Sequence, residues 1–498
     1  MLTIGVVGAG TMGSGIAQVA IAAGETVKLY DPFPQATERG REMIKKNLEF
    51  LVGKHKLTKD ESTVMLARLD IVQTTRDLAA CDVVIEAIIE DENLKKELFK
   101  DLETIISPDA ILATNTSSIS ITSLSNGLAR PERLVGMHFF NPAPRMKLIE
   151  VIKGLRTSEQ YVDFIIELAK RWGKVPVTAK STPGFIVNRV ARPFYGEALR
   201  ILMEDGTDHA SLDTVMRECG GFPLGPCQLM DLIGLDVNLS VTQSVFEATA
   251  FDPRYAPSLL QQELVRAGKI GRKSGEGFYT YPTNIVNHKN NETATAVEPN
   301  VLDLEYVDDA LIKPLIDRLI TSGNSLTGVA TSKSIPTIAL TDGRTATQRS
   351  DDESIRNLVL LDLCLNFELT KRIALTHAEQ CTPQAVDQIV CALQSAGCHV
   401  TIIRDIAGMI VTRTVAMLAN EAADLVHQRV STPQEIDTAM TLGTGYPKGP
   451  LLWADQIGLK NISKILKNLC DHYGPSRYRL SPLIQRKSIS NQLFHGSP

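Results

Sequence analysis

Thr3-Ile4-Gly5-Val6-Val7-Gly8-Ala9-Gly10-Thr11-Met12-Gly13, followed by small and apolar residues to Ala23 and by Glu25-Thr26-Val27-Lys28-Leu29-Tyr30-Asp31, decides the fold. It reads as strand, Gly-x-Gly-x-x-Gly, helix, strand, acid. A bare glycine pattern is weak, but this context makes it a dinucleotide-binding βαβ start. Gly8 permits the tight turn, Gly10 lets backbone approach a pyrophosphate, and Gly13 lets helix and sheet pack closely. Thr11 and Met12 lie in the same turn, at the helix N-terminus that would face the phosphates. Asp31 stands where a carboxylate accepts a ribose 2′-OH and repels a 2′-phosphate, so NAD is expected over NADP.

Working outward, residues 35–69 read as two helices separated near Gly53, locally basic at Lys45, Lys46, Lys54, His55 and Lys56. These lysines suit an anionic substrate tail, although a solvated helix face explains any one of them better. Cys81 to Ala87 is a buried strand, with Glu90 and Lys95 just past its C-terminal end, where open α/β sheets bind ligands. A helix over 94–106 and a strand over 110–114 lead to Asn115-Thr116-Ser117-Ser118. This hydroxyl cluster suits a substrate oxygen, while Ser118 also fits a helix N-cap.

Leu134 to Met137 reads as a strand running into His138-Phe139-Phe140-Asn141-Pro142, and Lys147 to Ile152 as another, with an irregular Pro142/Pro144 connection. Neighbouring strands would set Glu150 against the His138 ring, and a carboxylate on one ring nitrogen raises the basicity of the other. A satisfied core histidine with a surface glutamate fits the stretch equally. After a helix over 161–172 and a last strand at Lys174 to Val177, Ser181-Thr182-Pro183-Gly184 marks a boundary.

Residues 185–268 read as mostly helical, with a long helix starting at Phe185 and carrying Asn188 near its N-terminus, and another opened by Asp231-Leu232-Ile233-Gly234. By itself Asn188 is better explained as a helix-end hydrogen bond than as a site residue. A shift of 224 residues sets Gly184 on Gly408, Arg189 on Arg413, Glu197 on Glu421, Gly225-Pro226 on Gly449-Pro450, Asp231 on Asp455 and Gly234 on Gly458. The helical domain is therefore present twice, but Asn188 falls on Thr412. Between the copies, strand-like runs at 334–340, 357–362 and 400–403 and a helix at 384–395 read as a dinucleotide-type domain that has lost its glycine motif and its cofactor.

The expected architecture is an α/β Rossmann-type NAD-binding domain (1–183), an all-α domain (184–282), a polar linker (283–300), a degenerate α/β domain (301–404) and a second copy of the all-α domain (405–498). Composition fits this reading: 498 residues, 43% hydrophobic, 22% charged and net charge −5 argue for several globular domains and against nucleic acid as the main partner. The eight cysteines show no Cys-x-x-Cys pair or zinc spacing, so reduced thiols, no metal and a cytoplasmic location are expected. No apolar run is long enough to cross a bilayer, and no signal peptide is read at the start.

The glycine motif, Asn115-Thr116-Ser117-Ser118, His138-Phe139-Phe140-Asn141-Pro142 and Pro183-Gly184-Phe185-Ile186-Val187-Asn188-Arg189 together resemble L-3-hydroxyacyl-CoA dehydrogenase, over about residues 1–282. The remainder resembles the longer bacterial members, which include 3-hydroxyadipyl-CoA and 3-hydroxybutyryl-CoA enzymes, the former of phenylacetate breakdown. The resemblance implies NAD-dependent oxidation of an (S)-3-hydroxyacyl-CoA. It makes His138 the general base and Glu150 its orienting acid, with Ser117 and Asn188 on the substrate oxygen. It also implies that Asn141 positions His138 and the nicotinamide end, that Asp31, Glu90 and Lys95 contact NAD, and that Lys54 meets coenzyme A. Asn47 replaces the serine of a family tail contact. Two other readings compete: a non-catalytic NAD-binding or structural relative, and a β-hydroxyacid dehydrogenase that uses a lysine where this chain offers His138. Homo-oligomerisation is left open; the second helical copy is expected to occupy the surface that shorter relatives use for dimer contact.

Overall fold

The computed structural model describes residues 1–282, 302–328 and 335–496. The linker expected at 283–300 lies outside them, as does Ser334. The described chain forms two compact units, one of residues 1–189 with 428–444 and one of 190–427 with 445–498.

The first unit is built on eight strands: β1 (Thr3–Val7), β2 (Thr26–Tyr30), β3 (Leu69–Ile71), β4 (Val83–Glu86), β5 (Ile111–Thr114), β6 (Leu134–Phe139), β7 (Leu148–Lys153) and β8 (Val175–Lys180). Their order is β3-β2-β1-β4-β5-β6-β7-β8, parallel except for the antiparallel pair β6–β7. The central strands are apolar on both faces, as a sheet covered by helices on each side requires. Ile4, Val6, Val83, Ile85, Ala113 and Val135 are all fully buried. The strand order reverses between β1 and β4, which opens the crevice where doubly wound sheets bind ligands. The late segment 428–444 returns to strand β8. There Glu435 Oε1 accepts from Thr178 N (2.9 Å) and Thr178 Oγ1 (2.7 Å), so this edge is covered.

The second unit holds a six-stranded sheet of β9 (Asp303–Tyr306), β10 (Ser325–Thr327), β11 (Thr337–Leu340), β12 (Leu358–Leu361), β13 (Arg372–His377) and β14 (His399–Ile402), in the order β10-β9-β11-β12-β13-β14. It repeats the first sheet in reduced form: β9 is flanked by its own crossover partner β10 and by β11, and β12–β13 is again the antiparallel pair. Strands β3, β9, β10 and β13 are not among those expected from the sequence. The first three span only three or four residues, too short for alternation to register.

The repeat is visible in matched geometry. Gly234 (φ 102°) and Gly458 (φ 91°) each join two helices in a conformation only glycine adopts readily. Asp231 accepts from Phe278 N and Tyr279 N, both at 2.9 Å, and Asp455 from Phe494 N and His495 N, also at 2.9 Å. The copies grip each other reciprocally. Buried Glu197 of the first accepts from Arg477 Nε (2.9 Å) and Tyr478 OH (2.7 Å) of the second. Buried Glu421 of the second accepts from Arg254 Nη1 (3.3 Å) and from Tyr255 OH of the first.

Three expectations need correction. The long helix from Phe185 is broken into Val187–Val190 and Arg192–Met203, because Pro193 cannot donate the amide that would continue it. Asp231 to Ile233 ends the helix Pro226–Ile233, and only Gly234, its C-cap, also opens the next helix, as N-cap of Leu235–Ala248. The N-cap of the helix Ile121–Leu124 is Ser120, which accepts from Ser123 N, and not Ser118.

Candidate active site

The glycine turn sits at the C-terminal end of β1. Gly8 has φ +104°, and a Cβ there would stand 2.4 Å from Ala87 O; one on Gly13 would stand 1.8 Å from Gly8 O. Both positions are closed to any side chain, whereas a Cβ on Gly10 would meet nothing within 4 Å and faces open space. The helix Thr11–Ala22 has no side-chain cap and no acid in its first turn, so its positive end is not neutralised locally. Asp31 braces the turn, with Oδ2 accepting from Ala9 N (2.8 Å) and Oδ1 from Phe33 N (3.0 Å). A carboxylate so placed keeps lone pairs for a ribose hydroxyl. The turn thus fits a dinucleotide.

Across the crevice, Lys95 is 1% exposed and lies between Glu86 (2.8 Å) and Glu90 (2.9 Å). Glu86 also accepts from Thr114 Oγ1 at 2.6 Å. Glu90 gathers the hydroxyl cluster, accepting from Thr116 Oγ1 (2.7 Å), Ser117 N (2.9 Å) and Ser118 Oγ (3.0 Å). Burial pushes the Glu90 carboxyl up, but the Lys95 charge and these hydrogen bonds outweigh it and hold the pKa down at about 2. Glu90 therefore stays ionised and fixes the loop that carries Ser117.

His138 and Glu150 face each other across the antiparallel β6–β7 pair. The ring Nδ1 lies 2.6 Å from Glu150 Oε2, with His138 6% exposed and Glu150 fully buried. The other glutamate oxygen accepts from Ile186 N (3.0 Å) and Val187 N (2.9 Å), where the next helix begins. Glu150 thus holds an imidazole with one oxygen and a helix start with the other. Phe140 and Phe185 flank the imidazole, at centroid distances of 4.6 and 6.0 Å. One residue on, Asn188 Nδ2 donates to Ser117 O at 3.4 Å. His138, Glu150, Asn188, Ser117, Glu90 and Lys95 are thereby tied into one network.

Asn141 is exposed in the turn between β6 and β7. Asn47, on the helix Pro34–Gly53, donates to Gln18 Oε1 at 3.0 Å, and Lys54 lies over the Phe50 ring at 5.7 Å. Sequence reasoning misses Glu86, Thr116 as a Glu90 ligand, and Asn115, whose Oδ1 accepts from Phe139 N at 2.9 Å beside His138. A carboxylate ending a buried strand, with a lysine nine residues later, is the sign available for Glu86.

Comparison with known proteins identifies the family. Residues 3–182 match the 3-hydroxyacyl-CoA dehydrogenase NAD-binding domain, and 184–281 and 408–495 each match the C-terminal domain of the same family. Residues 338–406 match a 3-hydroxybutyryl-CoA dehydrogenase reduced Rossmann-fold domain. The chain is 42% identical over 487 residues to 3-hydroxyadipyl-CoA dehydrogenase of Escherichia coli, covering 98% of this chain and 97% of that one. It is 41% identical over 281 residues to 3-hydroxybutyryl-CoA dehydrogenase of Clostridioides difficile, covering 56% and 99%. A crystal structure of 3-hydroxybutyryl-CoA dehydrogenase from Escherichia coli superposes with a TM-score of 0.86 at 40% identity, covering 98% of both chains. Among the described residues, no helix is long and apolar enough to cross a membrane.

Proposed function

The chain belongs to the 3-hydroxyacyl-CoA dehydrogenase family, and on that premise we propose that it oxidises an (S)-3-hydroxyacyl-CoA, 3-hydroxyadipyl-CoA or 3-hydroxybutyryl-CoA, with His138 as general base. The observation that carries this is the 2.6 Å contact between His138 Nδ1 and Glu150. It fixes the tautomer with Nδ1 protonated and leaves Nε2 as the basic nitrogen. Nε2 takes the proton of the 3-hydroxyl as the hydrogen on C3 departs as hydride. NAD supplies the hydride acceptor when bound at the glycine turn. In the reverse direction the imidazolium returns its proton to the alkoxide oxygen.

Ser117 and Asn188 orient the substrate oxygen, Glu90 and Lys95 hold the loop and the cofactor side of the crevice, and Asn141 helps to position the imidazole. Gly8, Gly10, Thr11, Met12 and Gly13 receive the pyrophosphate and Asp31 the ribose. Lys54 and Asn47 meet the coenzyme A tail. The boundaries 1–183, 184–282, 301–404 and 405–498 are retained as domains. The eight free thiols support a reducing, cytoplasmic setting.

The test follows NADH absorbance with both (S)-3-hydroxyacyl-CoA substrates. A kcat/KM for the six-carbon dicarboxylic substrate above that for the four-carbon one supports the first. The opposite ranking selects the second, and no NADH from either refutes the proposal.

A further inference from the structure

A cavity of about 410 Å³ lies within the second unit, and none of its lining residues belongs to the network around His138. Its size is that of a small-molecule site, which typically spans about 300–1,000 Å³. Four arginines line it, Arg192, Arg200, Arg254 and Arg477, against one carboxylate, Glu204. Glu204 is already engaged by Arg413 Nη2 at 2.9 Å and Tyr473 OH at 2.7 Å. The acids that balance Arg477 and Arg254, namely Glu197, Glu421 and Asp424, do not line the cavity.

Arg477 is 8% exposed and spends Nε and Nη2 on Glu197, at 2.9 and 2.7 Å. Among the described residues its Nη1 is buried with no hydrogen-bond partner, and so is Nε of Arg254. Buried donors are normally satisfied, and a guanidinium edge is shaped to meet a planar anion. Gly196 keeps the space in front open: a Cβ there would stand 3.0 Å from Arg477 Nη2 and 3.3 Å from Arg200 Nη1. Glycine is a poor residue for the middle of the helix Arg192–Met203, so this opening is maintained against helix propensity. The rest of the wall is largely apolar, with Leu199, Pro257 and, half-exposed or more, Met203 and Leu259.

We propose that this cavity binds a small amphipathic carboxylate, its carboxyl group among the arginines that line it and its hydrocarbon body against the Leu199–Met203 wall. The site shares no lining residue with the proposed catalytic centre and is assembled from both helical copies, since Arg477 comes from the second and the remaining arginines from the first.

Calorimetric titration of the full chain with hexanoate, hexan-1-ol and inorganic phosphate tests this. Saturable hexanoate binding, with hexanol and phosphate each weaker by roughly 10-fold or more, is expected, since a charge-assisted hydrogen bond and apolar burial each contribute about that factor. Arg477→Gln risks the fold through Glu197, so two milder variants carry the decision. Met203→Glu, which sets a negative charge in the wall, and Arg200→Gln should each weaken hexanoate several-fold while NADH-linked turnover stays unchanged. Equal binding of hexanoate and hexanol, phosphate as tight as hexanoate, or unaltered hexanoate binding by both variants would overturn the proposal.

Discussion

Glu150 in the first sheet and Asp362 in the second show what separates the working copy from the reduced one. Glu150 lies in β7 and Asp362 directly after β12, on opposite strands of the antiparallel pair, and each accepts from the two amides at the start of its helical copy. Those amides are Ile186 and Val187 for Glu150 and, 224 positions on, Ile410 and Val411 for Asp362, at 2.9 and 2.7 Å. The difference lies in the second oxygen. In Glu150 it holds His138. In Asp362 it accepts from Leu363 N (2.8 Å), Thr412 N (2.9 Å) and Thr412 Oγ1 (2.8 Å). Thr412 is the residue that replaces Asn188. The acid that joins sheet to helix has changed strands between the copies. The 224-residue shift sets His138 on Asp362 and Glu150 on Ala374, whose carbonyl accepts from Asp362 N at 2.9 Å. In the second copy the acid thus stands in the histidine's place, whereas in the first it keeps one oxygen for the imidazole. A second loss accompanies this. After β9 the chain reads Val307-Asp308-Asp309 where β1 is followed by Gly8-Ala9-Gly10, and two acids repel a pyrophosphate.

The largest effect expected from this contrast is at His138. His138→Gln should lower turnover by a factor on the order of 10²–10⁴ and leave NADH binding intact, read by steady-state kinetics beside fluorescence titration. Near-native turnover would return the histidine to the core.

Where the repeats remain symmetric, the two copies should respond in the same direction. Glu197→Gln and Glu421→Gln should both destabilise, the first by about 3–5 kcal/mol by denaturant unfolding and the second by less, because Asp424 still balances Arg254. A large loss for one and none for the other would break the reciprocal arrangement.

A smaller effect is expected in acid. The folded pKa of Glu90 is depressed, to about 2 from an ordinary 4.5. Its stabilising contribution is therefore complete above pH 4.5 and disappears as pH falls towards 2. Glu90→Gln should flatten the acid-unfolding curve in that window, and an unchanged curve would mean that the Lys95 pair contributes nothing.

Much of this is legible in the amino-acid sequence alone. The glycine turn and Asp31 are local, within one βαβ unit, so spacing carries them. The facing of His138 and Glu150 also follows from two strands and one short turn. What is not legible depends on distant partners. Glu90 organises a serine loop 26 to 28 residues away, and the break at Pro193 hides inside an otherwise helical pattern. The return of 428–444 to β8 and the reciprocal Arg–Tyr grips rest on pairings about 170 to 280 residues apart. No window of sequence contains both halves of such contacts.

The most direct measurement takes Glu150→Gln and Asp362→Asn in parallel, with kcat and thermal midpoint read on each. The first variant should lose most of its turnover, and the second should lose about 1–3 kcal/mol of stability while its folded fraction turns over at the unmodified rate. Retained turnover in Glu150→Gln, or a matching collapse of turnover in folded Asp362→Asn, would contradict the assignment of catalysis to one copy and scaffolding to the other.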